Sequence, residues 1–414
     1  MLHKHKSVWR ELHTSFEFFG HVVDDDLKMP TIEQPHSDAP LDDERFAEIV
    51  VSKPISIIVP TYKENANIPS MIERVRQLKE AHAIELELIF MDDKSRDGSV
   101  ETVEAAGLDW VRIVERDGER GLSPAVIDGF RLARNPVLIC MDCDLSHPPE
   151  KIPHLVLALS SGQQFVIGSR YVPGASTDDD WGVLRWLNSR IATLMARPLT
   201  SARDPMSGFF ALRRADFENA QDLNPVGYKI GLELIVKCGF ENVAEVPIHF
   251  ADRVHGESKL TLREQLKYIK HIRRLYIHEF GNAMHFMQFL VVGASGTVVN
   301  LLVLFALLKM GLSEPVSLAG GICVSLITNF LLNRRFTFSY ARDRNPWAQF
   351  AGFLGASLVG MLVNYAVALF LVSSVLQDAP SSVYIAALAG IASGVLFNFL
   401  GNRYLVFRKR YIRR

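Results

Sequence analysis

The chain has 414 residues, a formal charge of −1 and 48% hydrophobic residues. This length predicts two or three domains, and the balanced charge gives no global attraction to nucleic acid, so no nucleic-acid partner is expected. The four cysteines show neither the spacing of a metal site nor a disulfide framework, which favours a reducing, cytosol-facing compartment.

The first 52 residues are polar, and no apolar stretch follows their basic residues. The pattern predicts a mostly irregular extension without a signal peptide.

Strands and helices are predicted to alternate from residue 53 onward. Apolar runs indicate strands at 54–60, 86–91, 111–115 and 137–141, and helices are predicted at 68–81 and 121–131. This βαβ rhythm is typical of a parallel sheet with right-handed crossovers, so the predicted fold class is α/β. The segment has neither a G-x-G-x-x-G motif nor a P-loop lysine, so we expect metal and basic side chains to hold any phosphates.

Two carboxylates, Asp142 and Asp144, directly follow the fourth predicted strand. Open α/β sheets bind ligands at the carboxyl ends of their strands. Two acidic side chains one residue apart can reach one hard cation, Mg²⁺ or Mn²⁺, which keeps positions open for substrate phosphates. The spacing predicts a metal–diphosphate site, and the alternative for an isolated motif of this kind is a solvated acidic turn.

Six motifs follow one another across residues 54–275. They occupy residues 59–65, 92–98, 142–149, 167–171, 207–209 and 252–260. In these motifs the chain resembles the inverting glycosyltransferases of family 2, in the branch of dolichol- and polyprenyl-phosphate mannosyltransferases. The resemblance implies a GT-A catalytic domain over residues 53–260. It also implies inverting transfer of a hexose, most simply mannose from GDP-mannose, to dolichyl or polyprenyl phosphate.

The same resemblance implies roles for individual residues. It places the nucleotide sugar against Pro60, Tyr62, Glu64, Phe90, Asp92, Asp142, Cys143, Asp144, Arg170, Arg253 and Lys259. The implied catalytic residues are Asp144, Arg170, Arg253 and Lys259. The resemblance implies that the three cationic side chains among them bind phosphate oxygens. The implied metal ligands are Asp142, Asp144 and Ser146, the last at a position where relatives often carry Gln.

An acceptor site is predicted between residues 174 and 191. Trp and Leu at helical spacing with interleaved Arg indicate an amphipathic helix suited to a membrane surface. Arg185 and Ser189 lie one turn apart and can grip a lipid phosphate together. The resemblance assigns these two residues and Arg170 to the acceptor phosphate. A core helix with two polar surface residues is the alternative.

No general base is predicted for the reaction. Asp204 and Glu233 are the obvious carboxylates for that role. A phosphate monoester is already largely ionised near neutral pH, because its second pKa is about 6, so no proton has to be removed from the nucleophile. Glu233 is interpreted as a buried structural residue.

The last third of the chain indicates a membrane domain. Residues 261–285 combine apolar residues at helical spacing with a basic face, as in an interfacial helix. Four apolar spans follow at 286–308, 315–332, 348–373 and 382–402, each close to the roughly 20 residues that cross a bilayer.

The distribution of Lys and Arg around these spans predicts their orientation. Basic residues collect at one end of the spans, which places the catalytic domain and both termini in the cytosol. Residues 296–300 recur as 360–364, and 329–334 recur as 398–403, so the domain, residues 286–414, is internally duplicated. It resembles the GtrA-like four-helix domain fused to some polyprenyl-phosphate glycosyltransferases.

Three other functions remain open at this stage. The donor is UDP-glucose or another UDP-sugar in the nearest alternative. In a second, the membrane helices transport a lipid-linked sugar and the α/β domain is regulatory. A processive polysaccharide synthase is disfavoured, because no Gln-x-x-Arg-Trp motif follows residue 260. The oligomeric state is not predicted.

Overall fold

The computed structural model describes residues 53–178, 183–220, 223, 229–251, 262–375 and 382–408, without the side chains of 183–187, 262–263 and 382–384. The predicted N-terminal extension lies outside these residues. Two compact units divide between Glu279 and Phe280, and each is described by itself.

A seven-stranded sheet forms the centre of the first unit. Its strands are β1 (Ile55–Thr61), β2 (Leu86–Asp92), β3 (Val111–Glu115), β4 (Val137–Cys140), β5 (Phe165–Ser169), β7 (Phe210–Arg213) and β8 (Val243–Pro247). They are ordered β3-β2-β1-β4-β7-β5-β8. Two short strands, β6 (Ser176–Thr177) and β9 (His249–Phe250), pair separately. The α/β class is confirmed, and the first four strands are parallel, as the βαβ rhythm predicts.

Helices cover both faces of this sheet. They are α1 (Ile68–His82), α2 (Ser99–Ala106), α3 (Leu122–Leu132), α4 (Ile152–Ser160), α5 (Val183–Ala196), α6 (Arg214–Glu218) and α7 (Ile230–Cys238). One apolar core lies between the sheet and α1, α2 and α4, and a second lies between the sheet and α3, α6 and α7. The strands are therefore buried on both sides, which explains their continuous apolar runs.

Strand β7 differs from the parallel pattern. It pairs antiparallel with both β4 and β5, and Phe210 lies opposite Cys140 and Ile167. Because β7 runs the other way, its first residues lie at the carboxyl ends of its neighbours. Residues 207–209 are thereby brought to the edge of the sheet where Asp142 follows β4.

The helix α8 (Leu262–Lys309) begins in the first unit, and its backbone leaves helical dihedrals at Gly281 (φ 47°, ψ −110°). Its first turns bury Tyr268, Ile272 and Leu275 against α5 and α7. The hydroxyl of Tyr268 donates to the carbonyl of Ala192 at 2.7 Å. Leu266 and Ile269 of the same segment are exposed, and the interfacial position of residues 261–285 stays a prediction.

The second unit contains α9 (Glu314–Leu332), α10 (Pro346–Phe370) and α11 (Ser382–Gly401), together with the rest of α8. In the described part of the chain, four helices are long and apolar enough to cross a membrane, as predicted. Short π-helical turns extend α9, α10 and α11 at Asn333–Thr337, Leu371–Val375 and Asn402–Val406.

Paired Asn and Gly residues pack each hairpin of this unit. A Cβ atom on Gly321 would lie 2.3 Å from Oδ1 of Asn300, and one on Gly390 would lie 2.5 Å from Oδ1 of Asn364. Only glycine allows this close approach, and small residues are a common device for packing membrane helices. The same contact in both hairpins shows that the duplicated sequence forms a duplicated structure.

Candidate active site

Backbone strain in the first unit concentrates at one edge of the sheet. Five non-glycine residues among those described have a positive φ. Ala83 ends a helix, whereas Lys63, Lys94, Arg96 and Leu145 lie in the loops that follow β1, β2 and β4. Such conformations are costly for residues with a Cβ and cluster at functional sites. This edge is therefore the candidate active site.

The predicted metal ligands lie in the loop after β4. The Asp142 side chain is 30% exposed, whereas Asp144 is buried and its Oδ1 accepts the backbone N–H of Ser146 at 3.2 Å. The hydroxyl of Ser146 is buried without a hydrogen-bond partner among the described residues. A buried polar atom without a partner is rare and calls for an explanation.

These three side chains fit a hard divalent cation. They offer only oxygen atoms, which Mg²⁺ and Mn²⁺ prefer, and a cation would give the Ser146 hydroxyl the partner that it otherwise lacks. Among the described residues, no cluster of three or more His, Cys, Asp or Glu side chains is arranged to hold a metal. Two carboxylates and one hydroxyl would leave further coordination positions for a substrate.

Asp142 is held in place from both sides. Its backbone N–H donates to Nδ1 of His147 at 3.0 Å, so this nitrogen carries no proton and forms no ion pair with the carboxylate 3.7 Å away. The His147 ring stacks on Phe209. On the other side is Gly208, where a Cβ would lie 3.3 Å from both carboxylate oxygens of Asp142. The motif at 207–209 therefore supports the Asp142 carboxylate by close backbone approach.

Arg170 lies at the end of β5 and is fixed by a buried ion pair. Its Nε and Nη2 donate to the two carboxylate oxygens of Asp204 at 2.7 and 2.8 Å. Its backbone N–H also donates to Asp204, at 3.0 Å. The guanidinium group lies over the ring of Phe250, which also contacts His147 edge-on. Arg170 and the loop after β4 thus belong to one packed cluster of side chains.

The predicted nucleotide residues occupy the loops after β1 and β2. Ser95 donates to both carboxylate oxygens of Asp92, through its N–H at 2.8 Å and through its hydroxyl. The Ser95 hydroxyl in turn accepts the backbone N–H of Lys63 at 2.8 Å, which ties the two loops together. Glu64 accepts a hydrogen bond from Asn67 at 2.6 Å.

The other predicted nucleotide residues differ in their exposure. Pro60 and Tyr62 are half-buried, and the exposed guanidinium of Arg120 lies over the Tyr62 ring. Phe90, in contrast, has no exposed surface and packs in the core. Its side chain therefore presents no surface to a base and instead packs in the apolar core between the sheet and α1, α2 and α4.

Cys143 lies between the two carboxylates, but its side chain is buried in the core. Burial, followed by the negative charges of Glu64, Asp144 and Asp142, raises the pKa of the thiol well above its usual value. The thiol is therefore neutral near pH 7. A contribution of Cys143 to ligand binding has to come from its backbone.

The acceptor residues lie on α5, whose helical structure was predicted. Ser189 is half-buried, and its hydroxyl lies 2.7 Å from that of Tyr171, which follows Arg170 in the chain. Arg185 lies one turn earlier on the same helix, and its side chain is outside the described set. Arg253 and Lys259 also lie outside the described residues.

Two polar residues lie near the site, and of these the sequence analysis named only Glu233. Lys229 precedes α7, and its Nζ donates to the carbonyl of Met206 at 3.1 Å. Burial and then the charge of Arg170 lower the pKa of Lys229 to about 7. Glu233 is buried and paired with Lys237 at 2.9 Å, in agreement with its predicted structural role. No spacing signal marks Lys229, since its partners are distant in sequence.

Comparison with known proteins identifies the two units. Glycosyl transferase family 2 matches residues 56–220, and the GtrA/DPMS transmembrane domain matches residues 288–407. A dolichol-phosphate mannosyltransferase of Pyrococcus furiosus is 34% identical over 358 residues, which cover 85% of this chain and 99% of that protein.

Two further relatives have a higher identity over a shorter stretch of the chain. The dolichol-phosphate mannosyltransferases of Mycosarcoma maydis and Saccharomyces cerevisiae are 46% and 44% identical over 235 and 246 residues. These matches cover 55% and 56% of this chain and 80% and 92% of the relatives. The chain is a family 2 glycosyltransferase joined to a membrane domain, and it belongs to the dolichol-phosphate mannosyltransferase family.

Proposed function

We propose that this protein transfers mannose from GDP-mannose to a dolichyl or other polyprenyl phosphate, with inversion at the anomeric carbon. The observation that carries the proposal is the grouping of Asp142, Asp144 and Arg170 at the carboxyl edge of the sheet. The names of the relatives support mannose as the sugar and a dolichol-type phosphate as the acceptor.

Asp142, Asp144 and Ser146 would hold one Mg²⁺ or Mn²⁺ ion. When bound, the ion supplies charge stabilisation to the diphosphate of the donor. Asp142 and Asp144 are held in position without the ion. Gly208 and His147 contact Asp142, and Asp144 accepts the backbone N–H of Ser146.

The lipid phosphate is the nucleophile in this proposal. One of its oxygens forms a bond to the anomeric carbon while the bond from that carbon to the diphosphate oxygen breaks, and the nucleoside diphosphate leaves. No base is needed, because the phosphate is already ionised. This agrees with the two buried carboxylates, Asp204 and Glu233, each of which is neutralised by a cation.

Arg170 acts as a fixed positive charge for the reacting phosphates. Asp204 accepts from its Nε and Nη2 and so fixes the orientation of the guanidinium group. A preoriented guanidinium stabilises developing charge without reorganisation during the reaction. Ser189 and Arg185 bind the acceptor phosphate beside it, and Arg253 and Lys259 bind the donor diphosphate.

The catalytic unit faces the cytosol in this proposal, together with both termini. The support is the basic cluster at one end of the membrane helices, which includes Arg334, Arg335, Arg342, Arg344 and Arg403. A C-terminal tag that is accessible to protease on the cytosolic side of sealed vesicles tests this orientation.

The decisive experiment uses the purified full-length protein in detergent. Transfer of labelled sugar to polyprenyl phosphate is measured from GDP-mannose and, in parallel, from UDP-glucose, with Mn²⁺, Mg²⁺ or EDTA. We expect a metal-dependent mannolipid with wild type and none with Asp144→Asn. Asp109→Asn is the matched control, because this exposed residue precedes β3 at the opposite edge of the sheet.

The arms of the experiment separate the alternatives. Transfer only from UDP-glucose would keep the reaction and replace the donor. Equal transfer with EDTA would remove the metal from the mechanism. No transfer from either donor would refute the proposal.

A further inference from the structure

The second unit contains a groove of about 750 Å³ between α10 and α11. Small residues line much of it, including Gly352, Gly355, Ala356 and Gly401. Its polar end is formed by Arg344 and the residues that follow it at the start of α10. The groove is thus apolar along the helices and positively charged at one end.

The guanidinium at the polar end is available to a ligand. Arg344 has no side-chain hydrogen bond or ion pair within the described part of the chain, whereas the neighbouring Arg334 donates to Gln349 and to two backbone carbonyls. Trp347, the second residue of α10, is 78% exposed. Exposed Trp residues mark the headgroup level of membranes, so Arg344 lies at the depth of lipid phosphates.

The internal duplication shows that packing does not require this groove. The position equivalent to Gly355 in the first hairpin is Val291, and the position equivalent to Gly401 is Leu332. The first hairpin therefore folds in the same way with larger side chains. At Gly355 itself, a Cβ would meet no atom within 4 Å, so this glycine opens space toward the bilayer rather than toward another helix.

We propose that this groove binds polyprenyl phosphate, with the phosphate on Arg344 and the chain against Gly355 and Ala356. A phosphate monoester carries close to two charges near neutral pH and matches the forked guanidinium. Gly355 and Ala356 lie one helical turn after Gly352, roughly 5 Å along the axis, so small residues recur along this face of α10. A face without large side chains leaves room for the methyl branches of a polyprenyl chain.

The identity of the lipid rests on the proposed function, whereas the groove belongs to the membrane unit alone. A polyprenyl phosphate that carries a photoreactive group in its chain is added to the full-length protein in lipid nanodiscs. Adducts are mapped by mass spectrometry after illumination. We expect them in residues 344–359 and 397–406, and we expect unlabelled polyprenyl phosphate to compete while polyprenol and phosphatidylglycerol do not.

Two variants test the groove directly. Gly355→Leu fills the groove without striking a neighbour, and its matched control is Gly293→Leu on α8, where a Cβ also meets nothing within 4 Å. We expect labelling of the groove to fall by about tenfold in Arg344→Gln, the loss typical of a removed charged hydrogen bond. Labelling should also fall in Gly355→Leu, because the leucine side chain occupies the space of the lipid chain. Gly293→Leu is expected to label like wild type.

Two results would overturn the proposal. Equal competition by phosphatidylglycerol, or full labelling of Gly355→Leu, means that ordinary bilayer lipid covers this surface. Mannosyl transfer measured on the same preparations separates this outcome from a failure of the proposed function. Transfer without groove adducts refutes the groove alone, whereas specific adducts without transfer support the groove and refute the reaction.

Discussion

The buried ion pair between Arg170 and Asp204 offers a test of how this active site is held together. The Arg170 side chain is 11% exposed and that of Asp204 is fully buried. Asp204→Asn keeps the shape of the side chain but removes its charge. Its amide group would also present hydrogen atoms to one of the two donor nitrogens of Arg170.

The expected cost follows from burial. Removal of one charge from a buried pair typically costs about 3–5 kcal/mol, because the remaining charge is left without compensation. For a unit of this size, that corresponds to a decrease of roughly 10 °C in melting temperature. Transfer activity should fall as well, since Arg170 loses the contacts that orient it.

The chain provides a matched control in an exposed ion pair. Arg74 donates through Nε and Nη2 to Glu150 at 2.8 and 2.6 Å, the same forked geometry, but the side chains are 33% and 56% exposed. Exposed pairs contribute about 0–1 kcal/mol, so Glu150→Gln should lower the melting temperature by no more than about 4 °C. Thermal unfolding of both full-length variants in detergent makes the comparison. Equal destabilisation would refute the reasoning from burial.

Three further predictions concern residues around this site. Ser146→Ala should raise the metal concentration for half-maximal transfer by about tenfold. It should not lower the metal-free melting temperature, because the Ser146 hydroxyl has no hydrogen-bond partner among the described residues. An unchanged metal requirement would remove Ser146 from the site. Gly208→Ala should also weaken metal binding, and so raise the metal concentration for half-maximal transfer, because its Cβ would crowd Asp142. Gly118→Ala, whose Cβ would meet an atom only at 3.6 Å, should leave that concentration unchanged. In the folded protein, burial lowers the pKa of Lys229 to about 7, whereas in the unfolded chain the lysine stays protonated up to about pH 10. Between these pH values the unfolded state binds more protons, so the free energy of unfolding rises with pH there. Lys229→Met should therefore be more stable than wild type below about pH 7, and a melting-temperature gap that does not narrow toward about pH 9 would contradict this.

Local signals in the sequence account for much of the sheet. The strands that end at Thr61, Asp92, Glu115 and Cys140 were all predicted within about two residues, because a buried parallel strand leaves a continuous apolar run. The four membrane helices were predicted for a similar reason, since a bilayer requires long apolar segments. Asp142 and Asp144 could be predicted as site residues because they directly follow the apolar run of β4.

Contacts between distant segments could not be predicted in this way. The antiparallel insertion of β7 between β4 and β5 brings Gly208 against Asp142, and no periodicity in the sequence encodes that pairing. The same holds for the partner of Arg170 and for the position of Lys229. The burial of Phe90 is a further example, because the sequence does not show which face of the sheet a strand residue occupies.

The sequence by itself determined which segments form strands and membrane helices, where the acidic loop lies, and to which family the motifs belong. These features depend on hydrophobic periodicity and on short spacings, which are local properties of a chain. The tertiary structure alone decided that Gly208 and His147 lie against Asp142 and that Asp204 pairs with Arg170, and it opened the groove between α10 and α11. Such arrangements depend on packing between segments far apart in the chain, where a single missing side chain decides whether a backbone approaches or a cavity opens.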